Sequence, residues 1–270
     1  MMTDFMKAWQ PLFHRHAVDL IVIVDGEDQH LLVNGERKDL QSDLVQKFYA
    51  GCCNLAYLYI AKNMPDVEYI INLNDDETPI GDPIQDHINV LNTKISSLNW
   101  MNTCKNLFPR GFPYTERQTI PVMLSHGVWE GVPDLDAPTQ LLNPKNEAYF
   151  YEGKIPRGVY FPFCGMNYAV RREALPYIYH APVADFKGAE RFDDIWAGFP
   201  IVEDFAKLNW GIVSGYSKVY HTRASNVFKN LEKEYIGLER NEHYWKGEYD
   251  EWYLSFLDKR EQWKKLLGAL

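Results

Sequence analysis

The sequence predicts an α/β fold in which a mostly parallel central sheet is flanked by helices. Segments with helical spacing alternate with short apolar runs over roughly the first hundred residues, and this alternation is typical of parallel α/β sheets. Residues 18–28 contain a continuous run of valine, isoleucine and leucine, which is typical of a strand buried on both faces, and the apolar start of 67–79 predicts a second buried strand. Both runs end in acidic residues, at the edge where such sheets bind ligands.

The elements of the first half follow in order. Apolar residues at helical spacing predict a helix over residues 4–16, and the strand over 18–28 follows it. A second helix is predicted over 41–63, where small residues allow close packing. The strand over 67–79 breaks into an acidic turn, and a third helix is predicted over 82–98.

The second half begins with an irregular region. Residues 105–165 are dense in proline and glycine, so loops and short strands are predicted there, and long irregular segments of this kind often carry function. Helical spacing returns over 191–210, a strand-like segment follows, and 229–267 again have the pattern of a helix. The simplest organisation is one domain over residues 1–240 with a helical C-terminal appendage over 241–270.

The overall charge bears on the partners of the protein. The 270 residues carry a formal net charge of −9, and 14% of them are aromatic. A general nucleic-acid-binding protein normally has a basic face, so we do not expect that class of partner. An acidic protein that binds a diphosphate needs a local cation, either a bound metal or a few placed arginine and lysine side chains. Aromatic rings favour stacking on bases or sugars but are equally typical of a core.

The location of the protein is predicted from its cysteines and its apolar runs. The four cysteines, Cys52, Cys53, Cys104 and Cys164, form no C-x-x-C pair and have no zinc-type spacing, so free thiols in a reducing compartment are expected. No apolar run reaches the roughly 18 residues of a membrane span, and the N-terminus lacks a signal-peptide pattern. We therefore expect a cytoplasmic protein.

The acidic turn after the second strand is the first candidate site. Asp75 and Asp76 follow the strand directly, and carboxylates fixed at a strand end are typical ligands of Mg²⁺ or Mn²⁺. Acids are equally common in turns because they accept hydrogen bonds from the backbone. His221 ends a predicted strand, and an imidazole there is either a further metal ligand or an ordinary histidine. Asp25 follows the first strand in the same way.

Five segments give the chain a resemblance to a known family. The residues are RGFPYTERQTIPVMLSHG (110–127), VWEGVPDLDAPTQL (128–141), IPRGVYFPFCGMNYAVRRE (155–173), RFDDIWAGF (191–199) and YHTRASNVFKNLEKEYIG (220–237). In their order and spacing they resemble the reversibly glycosylated polypeptides, the UDP-arabinopyranose mutases. The resemblance covers most of residues 5–240 and is far more specific than a single short motif.

The resemblance implies a fold, an activity and a cofactor. The family has a GT-A-type nucleotide-diphospho-sugar transferase fold, interconverts UDP-arabinopyranose and UDP-arabinofuranose, needs Mn²⁺ or Mg²⁺, and is reversibly glycosylated on an arginine. That arginine corresponds to Arg117. The metal-binding acids of the family correspond to residues 74–76, and His221 lies close to the metal. We assign Asn74, Asp76 and His221 to the metal and Asp75 to the substrate.

Further candidate residues have alternative interpretations. Asp193 and Asp194 begin a predicted helix and are either catalytic acids or charges that stabilise a helix N-terminus. Arg117 either accepts the sugar covalently or clamps the diphosphate with its guanidinium. Gly165 either lets backbone amides approach the substrate or only forms a tight turn. Substrate binding is also assigned to Asp25, His126, Trp129, Asn167 and Trp196, with a core position as the alternative for the two tryptophans.

Three departures from the family pattern are visible. Asn74 stands where the family has an aspartate, which removes one charge from the metal site. The chain begins at the helix that follows the family's first strand, so a GT-A-like sheet without that strand is expected. The segment after Gly237 is shorter than in the family and has no clear match.

These observations leave three functional hypotheses. The first is a UDP-sugar mutase that interconverts the two arabinose forms and glycosylates itself reversibly on Arg117. The second is a metal-dependent glycosyltransferase that moves a pentose or hexose from a nucleotide-sugar to a glycan, a protein or a modified nucleobase. The third is a catalytically impaired partner of an active relative. The resemblance is compatible with homo- or hetero-oligomers.

Overall fold

The computed structural model describes residues 2–104, 107–143, 148–222 and 226–268, which form an α/β structure. The helices are α1 (Met2–Arg15), α2 (Cys53–Asn63), α3 (Pro83–Leu91), α4 (Ala137–Leu142), α5 (Asp193–Leu208), α6 (Val227–Tyr244) and α7 (Glu251–Leu267). The strands are β1 (Ile21–Val24), β2 (His30–Val33), β3 (Glu36–Lys38), β4 (Tyr69–Leu73), β5 (Glu77–Pro79), β6 (Lys94–Ser96), β7 (Thr119–Gly131), β8 (Gly153–Lys154), β9 (Asn167–Arg171) and β10 (Gly211–His221).

The central sheet is mixed. Its strand order is β4-β9-β7-β10-β5, with β6 paired to β7 and β8 paired to β10. β7 and β10 run parallel, whereas the other described pairings in this sheet are antiparallel. The prediction of a mostly parallel sheet is therefore wrong. Parallel neighbours need a crossover connection; β10 follows the helix α5, whereas β8 and β9 follow loops of the irregular middle region.

The first predicted strand lies outside the central sheet. β1 pairs antiparallel with β2, and β2 with β3, in a separate three-stranded sheet. The residues Ile21–Val24 are only half-buried, in contrast to the buried parallel strand that their apolar run predicts. Asn34 and Gly35 have positive φ angles of 50° and 86°, as a two-residue Asn-Gly hairpin turn requires. Tight turns therefore gather this part of the chain into a small antiparallel sheet.

Three predicted helices are shorter than their patterns suggest. The helix predicted over 82–98 ends at Leu91, and β6 follows within the predicted range. Phe48 and Tyr49 have positive φ angles of 67° and 55°, which interrupts a helical path, and α2 begins only at Cys53. The C-terminal pattern is divided into α6 and α7, and Gly247 with a φ of 81° lies in the break. The domain boundary after residue 240 falls within α6 and stays a prediction.

Helices cover both faces of the central sheet. Tyr168 and Val170 of β9 belong to the core beneath α5 and α7, whereas Ala169 between them packs with residues of α3, as the alternation along a strand requires. Trp9 of α1 and Trp263 of α7 are fully buried in two separate apolar clusters. Among the described residues, no helix has both the length and the apolar composition that a membrane crossing requires.

Candidate active site

Three strand ends meet at one edge of the central sheet. β4 ends at Leu73 and leads through the acidic turn into β5. β7 and β10 end side by side, with His221 opposite Gly131, and His221 also lies opposite Glu77 of β5. The acidic turn is therefore adjacent to the carboxyl ends of the two parallel strands, which is where α/β sheets bind ligands.

Asp76 and His221 form the centre of this edge. His221 Nε2 lies 3.3 Å from Asp76 Oδ2, and His221 Nδ1 lies 2.7 Å from the Val132 carbonyl oxygen. Burial opposes the charged imidazole, but the hydrogen bonds to Asp76 and Val132 outweigh it, so the pKa of His221 is raised. A carboxylate and an imidazole are both ligands that Mn²⁺ accepts. This pair therefore fits part of the expected metal site.

Hydrogen bonds to the buried residue Glu77 fix the conformation of the acidic turn. Asn74 and Asp75 are exposed, whereas Glu77 is fully buried. Glu77 Oε2 accepts a hydrogen bond of 3.1 Å from the Asn74 amide, and the Glu77 carbonyl oxygen accepts one of 2.8 Å from the Trp9 indole. Burial raises the pKa of Glu77 well above its usual range. Glu77 thus fixes the turn that precedes Asp76.

Side chains alone do not complete a metal site. Within the described part of the chain, no group of three or more histidine, cysteine, aspartate or glutamate side chains is placed to hold a metal ion. Asp76 and His221 supply two ligand groups, and Asn74 and Asp75 are exposed in the same turn. Mg²⁺ commonly takes only one or two carboxylates and completes its shell with water and substrate phosphates. The residues therefore fit a metal that is shared with a phosphorylated substrate.

A second acidic pair lies at the start of α5. Asp193 accepts hydrogen bonds from the amides of Ala50 and Asp194, and Asp194 Oδ2 accepts one of 2.7 Å from the Gly165 amide. Burial, followed by the charge of Asp194, raises the pKa of Asp193 well above its usual range. Burial, followed by the charge of Asp134, raises the pKa of Asp194 to about 6. The pair anchors two loops to α5 and provides one carboxylate that titrates near neutral pH.

Asp134 is a further charged residue near this edge of the sheet, and sequence reasoning did not single it out. It follows the end of β7, and its Oδ1 forms an ion pair of 3.3 Å with Arg191 Nη2. Its charge contributes to the raised pKa of both His221 and Asp194, so it lies within electrostatic range of both. Its place after an apolar strand was an available signal, but the surrounding glycines and prolines predicted only loops. We call Asp76, His221, Asp134 and Asp194 the strand-end site.

Arg191 connects the strand-end site to α6. Arg191 Nη1 lies 2.8 Å from Glu234 Oε1, and Glu234 Oε2 accepts a hydrogen bond of 2.7 Å from the Ala137 amide at the start of α4. Glu234 is almost fully buried. Because the guanidinium is shared between Asp134 and Glu234, its planar fork holds Asp134 in a fixed position.

Four of the side chains assigned to substrate binding are buried. Trp129 and Trp196 belong to apolar clusters, and other aromatic rings surround Trp196. Asn167 is fully buried, and its Oδ1 lies 2.8 Å from His87 Nε2. Burial lowers the pKa of His126 to about 3. These side chains are packed inside the protein, and their direct contact with a substrate stays a prediction.

Asp25 belongs to the small sheet rather than to the strand ends of the central sheet. It follows β1, and its Oδ1 accepts hydrogen bonds of 3.0 Å from the Gln29 side chain and from the Phe48 amide. These bonds join the turn after β1 to the irregular backbone that precedes α2. A role for Asp25 in binding a substrate stays a prediction.

Arg117 lies at the opposite end of β7. Its guanidinium donates hydrogen bonds of 3.2 and 3.3 Å to the Phe112 carbonyl oxygen and stacks on the Tyr114 ring, with 3.8 Å between the guanidinium carbon and the ring centroid. β7 has 13 residues, and at a rise of about 3.3 Å each its ends lie roughly 40 Å apart. The structure therefore does not bring Arg117 together with the acidic pair of α5.

A surface cleft opens beside the strand-end site. Its volume is about 370 Å³, which is within the range of small-ligand sites. Gly131, the residue opposite His221, forms part of its wall. Three aromatic and three charged residues contribute to the rest of the lining: Trp129, Tyr149, Phe150, Glu130, Glu152 and Lys218. A ligand in this cleft would contact Gly131, the residue of β7 that lies opposite His221 at the end of β10.

Comparison with known proteins identifies the family. The model of the family described as reversibly glycosylated polypeptide matches residues 1–247. A probable UDP-arabinopyranose mutase 1 from Pisum sativum is 33% identical over 264 residues, which cover 87% of this chain and 71% of the relative. UDP-arabinopyranose mutase 3 from Arabidopsis thaliana is 33% identical over 265 residues, with 87% and 71% covered. A probable UDP-arabinopyranose mutase 2 from Solanum tuberosum is 32% identical over 274 residues, with 91% and 72% covered. The chain therefore belongs to the reversibly glycosylated polypeptide family.

Proposed function

We propose that this protein is a UDP-arabinopyranose mutase that interconverts UDP-arabinopyranose and UDP-arabinofuranose at the strand-end site. The observation that carries the proposal is the meeting of Asp76, His221 and Asp134 at the carboxyl ends of β7 and β10, the edge where α/β sheets bind nucleotides. The substrate is inferred from the relatives, which are named UDP-arabinopyranose mutases. The proposal includes a GT-A-like fold.

The diphosphate of the substrate requires a cation in this acidic setting. Asp76 and His221 would hold Mn²⁺ or Mg²⁺, together with oxygen atoms of the turn before Asp76. When bound there, such a metal would neutralise the phosphates and would stabilise UDP as a leaving group. The chain contributes the orientation of the ligands, because the Val132 carbonyl fixes the His221 ring and Glu77 braces the turn.

The interconversion also needs a group that moves protons. When the bond between the anomeric carbon and the phosphate oxygen breaks, the sugar becomes electron-deficient, and the carboxylates of Asp134 and Asp194 stabilise that charge. Closing the five-membered ring requires the 4-hydroxyl to lose a proton and the former ring oxygen to gain one. A carboxyl group whose pKa is raised to about 6 accepts and returns protons near neutral pH. We assign this step to Asp194.

The proposal also includes a covalent bond between the sugar and the protein during the interconversion. Keeping the sugar on the protein while its ring opens and closes would divide the reaction into easier steps. The family resemblance assigns this role to Arg117, and we propose that Arg117 carries the sugar. Because Arg117 lies at the far end of β7, it cannot receive the sugar from the site of its own chain.

The cleft beside the strand-end site favours a second candidate function. Aromatic faces next to carboxylates and a lysine suit a sugar ring, since the rings contact its apolar face and the charged groups bind its hydroxyls. A glycan acceptor in this cleft would make the protein a metal-dependent glycosyltransferase. The two functions share the nucleotide-sugar and differ in where the sugar goes.

The mutase proposal is tested with the purified chain, UDP-arabinofuranose and Mn²⁺, followed by chromatography of the nucleotide-sugars. We expect UDP-arabinopyranose to form without an acceptor, to require the metal, and to form at least about 100-fold more slowly in Asp194→Asn. Asp258→Asn, which changes an exposed aspartate of α7, is the matched control and keeps full activity. UDP release that depends on an added glycan would support the transferase, and no turnover with either metal would support the impaired partner.

A further inference from the structure

Arg117 belongs to an exposed apolar surface at the amino end of β7. Its guanidinium carbon lies 3.8 Å from the centroid of the Tyr114 ring and 5.4 Å from that of the Phe108 ring. Tyr114 is 84% exposed and Leu107 is 68% exposed. Large exposed apolar side chains that are gathered in one place mark contact sites on proteins. We call Trp100, Met101, Leu107, Tyr114 and Arg117 the Arg117 face.

The fold keeps this face away from the strand-end site of the same chain. β7 lies inside the central sheet, where it pairs with β6, β9 and β10, so its two ends keep a separation of roughly 40 Å. Glu116, next to Arg117, accepts a hydrogen bond from the Ser97 hydroxyl directly after β6. Movement of Arg117 into its own site would require the central sheet to come apart.

The two ends of the molecule are complementary in charge and in polarity. The strand-end site carries the carboxylates of Asp76, Asp134 and Asp194, and the Arg117 face presents a guanidinium. The cleft beside the site exposes Tyr149, at 99%, and Phe150, which offer apolar contacts to Leu107 and Tyr114. The chain has a net charge of −9, so two copies repel each other in general and associate only where such a specific match exists.

We propose that Arg117 acts in trans: the Arg117 face of one copy docks on the cleft of a second copy, and Arg117 enters the strand-end site of that second copy to receive the sugar. The inference rests on the proposed function, because it takes the nucleotide-sugar at that site as the donor. The second copy is therefore the partner that this site requires for the covalent step.

The covalent step balances within the two copies. The bond between the anomeric carbon and the phosphate oxygen breaks, and UDP leaves with the electron pair. A guanidinium nitrogen of Arg117 forms the new bond to the anomeric carbon and gives up one proton to a carboxylate of the receiving site, Asp134 or Asp194. Attack by the returning UDP oxygen, with return of that proton, reverses the step.

The contact is head-to-tail, because two different surfaces meet. Contacts of this type close into rings or continue into open chains. The covalent labelling of the protein must therefore depend on protein concentration, which distinguishes it from a reaction within one chain.

Two variants separate the two surfaces. Arg117→Lys keeps the strand-end site, and the double variant Asp134→Asn/Asp194→Asn keeps the Arg117 face; a short tag on one of them distinguishes their masses. After incubation with UDP-arabinofuranose and Mn²⁺, intact-mass spectrometry should show no pentose on either variant alone. In the mixture, we expect the pentose on the double variant only, at a rate that rises with the concentration of Arg117→Lys. Arg110→Lys, an exposed arginine in the same segment, is the matched control and labels like the wild type.

Several results would overturn the inference. Labelling of the wild type at a rate independent of concentration, with an unlabelled mixture, would show a reaction within one chain. A wild type that interconverts the sugars without any mass gain would also overturn it and leave the mutase proposal standing. A wild type that neither interconverts the sugars nor gains mass would contradict both the mutase proposal and the inference that Arg117 acts in trans.

A surface variant keeps the test decisive if the double variant unfolds. Leu107→Ser/Tyr114→Ser changes exposed side chains only, so it is expected to fold, and its melting temperature verifies this. We expect labelling of this variant to fall at least about tenfold while its binding of UDP, measured by calorimetry, stays unchanged. Full labelling of the surface variant would contradict docking through the Arg117 face.

Discussion

The two ends of β7 are built for different tasks. At its carboxyl end, charged side chains are largely buried and held by backbone amides, carbonyls and an arginine, as in Asp194, His221 and Asp134. At its amino end, aromatic and aliphatic side chains are exposed around one guanidinium. The difference supports our proposals that the carboxyl end carries out the chemistry, because its charges are fixed in advance, and that the amino end makes contacts.

The largest expected effect on activity is found when one carboxylate is neutralised at the carboxyl end of β7, and the same change at the amino end is the comparison. Asp134→Asn removes a carboxylate that influences both His221 and Asp194, and we expect kcat/KM for the interconversion to fall at least about 100-fold. Glu116→Gln at the amino end keeps an acceptor for Ser97, and we expect kcat/KM to change by no more than about twofold. Steady-state kinetics with UDP-arabinofuranose measure both. Equal losses in the two variants would break the comparison.

The next effect concerns stability and pH. The pKa of Asp194 is raised from an ordinary value of 3.8 to about 6 in the folded chain, so the folded state binds this proton more tightly than the unfolded state. The resulting stabilisation is fully present below about pH 4 and is lost as the pH rises past about 6; after a discount for partial solvent access it amounts to roughly 2 kcal/mol. Asp194→Asn should remove this dependence.

Urea unfolding at pH 4, 5, 6 and 7 tests this pH dependence. The difference in unfolding free energy between the wild type and Asp194→Asn reports the titration of this carboxyl group together with its effect on the neighbouring Asp193, because the remaining titrating groups are common to both. A difference that falls as the pH rises supports the buried, fixed charge at the carboxyl end. A flat difference would show that Asp194 is solvated like a surface carboxylate.

A smaller effect is expected at the acidic turn. Asn74 is exposed beside Asp75 and Asp76, so Asn74→Asp adds a charged oxygen ligand without disturbing the core. We expect the affinity for Mn²⁺ to rise about tenfold by calorimetry. Asn89→Asp on α3 is the matched control, since its side-chain oxygen still accepts the hydrogen bond from Gln85. An equal rise in both variants would mean that the change in overall charge, rather than a site at the turn, binds the metal.

The sequence predicted the positions of Asp76 and His221 beside strand ends better than it predicted the sheet that carries them. These positions could be predicted because a strand end is visible locally, as an apolar run followed by polar residues, whereas the roles of the two side chains stay a prediction. The pairing of β1 could not be predicted, because a buried parallel strand and a hairpin strand share the same apolar run. The backbone angles of the turn at Asn34 and Gly35 determine which of the two forms. Asp134 was missed because glycine and proline near the end of β7 concealed a strand of 13 residues.

The length of that strand also explains the position of Arg117. In the sequence, Arg117 is closer to Asp134 than Asp193 is. An extended strand separates its ends by about 3.3 Å per residue, whereas a sheet brings distant segments into contact. Only the structure shows that β7 is continuous, and therefore that the proposed sugar-carrying arginine and the proposed sugar-binding carboxylates lie at opposite ends.

The smallest expected effect sharpens the comparison from the amino end. Tyr114→Ser removes a ring that is mostly exposed, so we expect the free energy of unfolding to change by no more than about 0.5 kcal/mol. Tyr253→Ser on α7 removes a fully buried ring and should lower that free energy by about 3–5 kcal/mol. If the stability of the fold does not depend on the Tyr114 ring, the ring is available for contact with a second copy of the chain, as the proposal for the Arg117 face requires. If urea unfolding gave a loss for Tyr114→Ser close to that for Tyr253→Ser, the ring would belong to the packing of the chain, and the amino end of β7 would no longer be a surface kept for a partner.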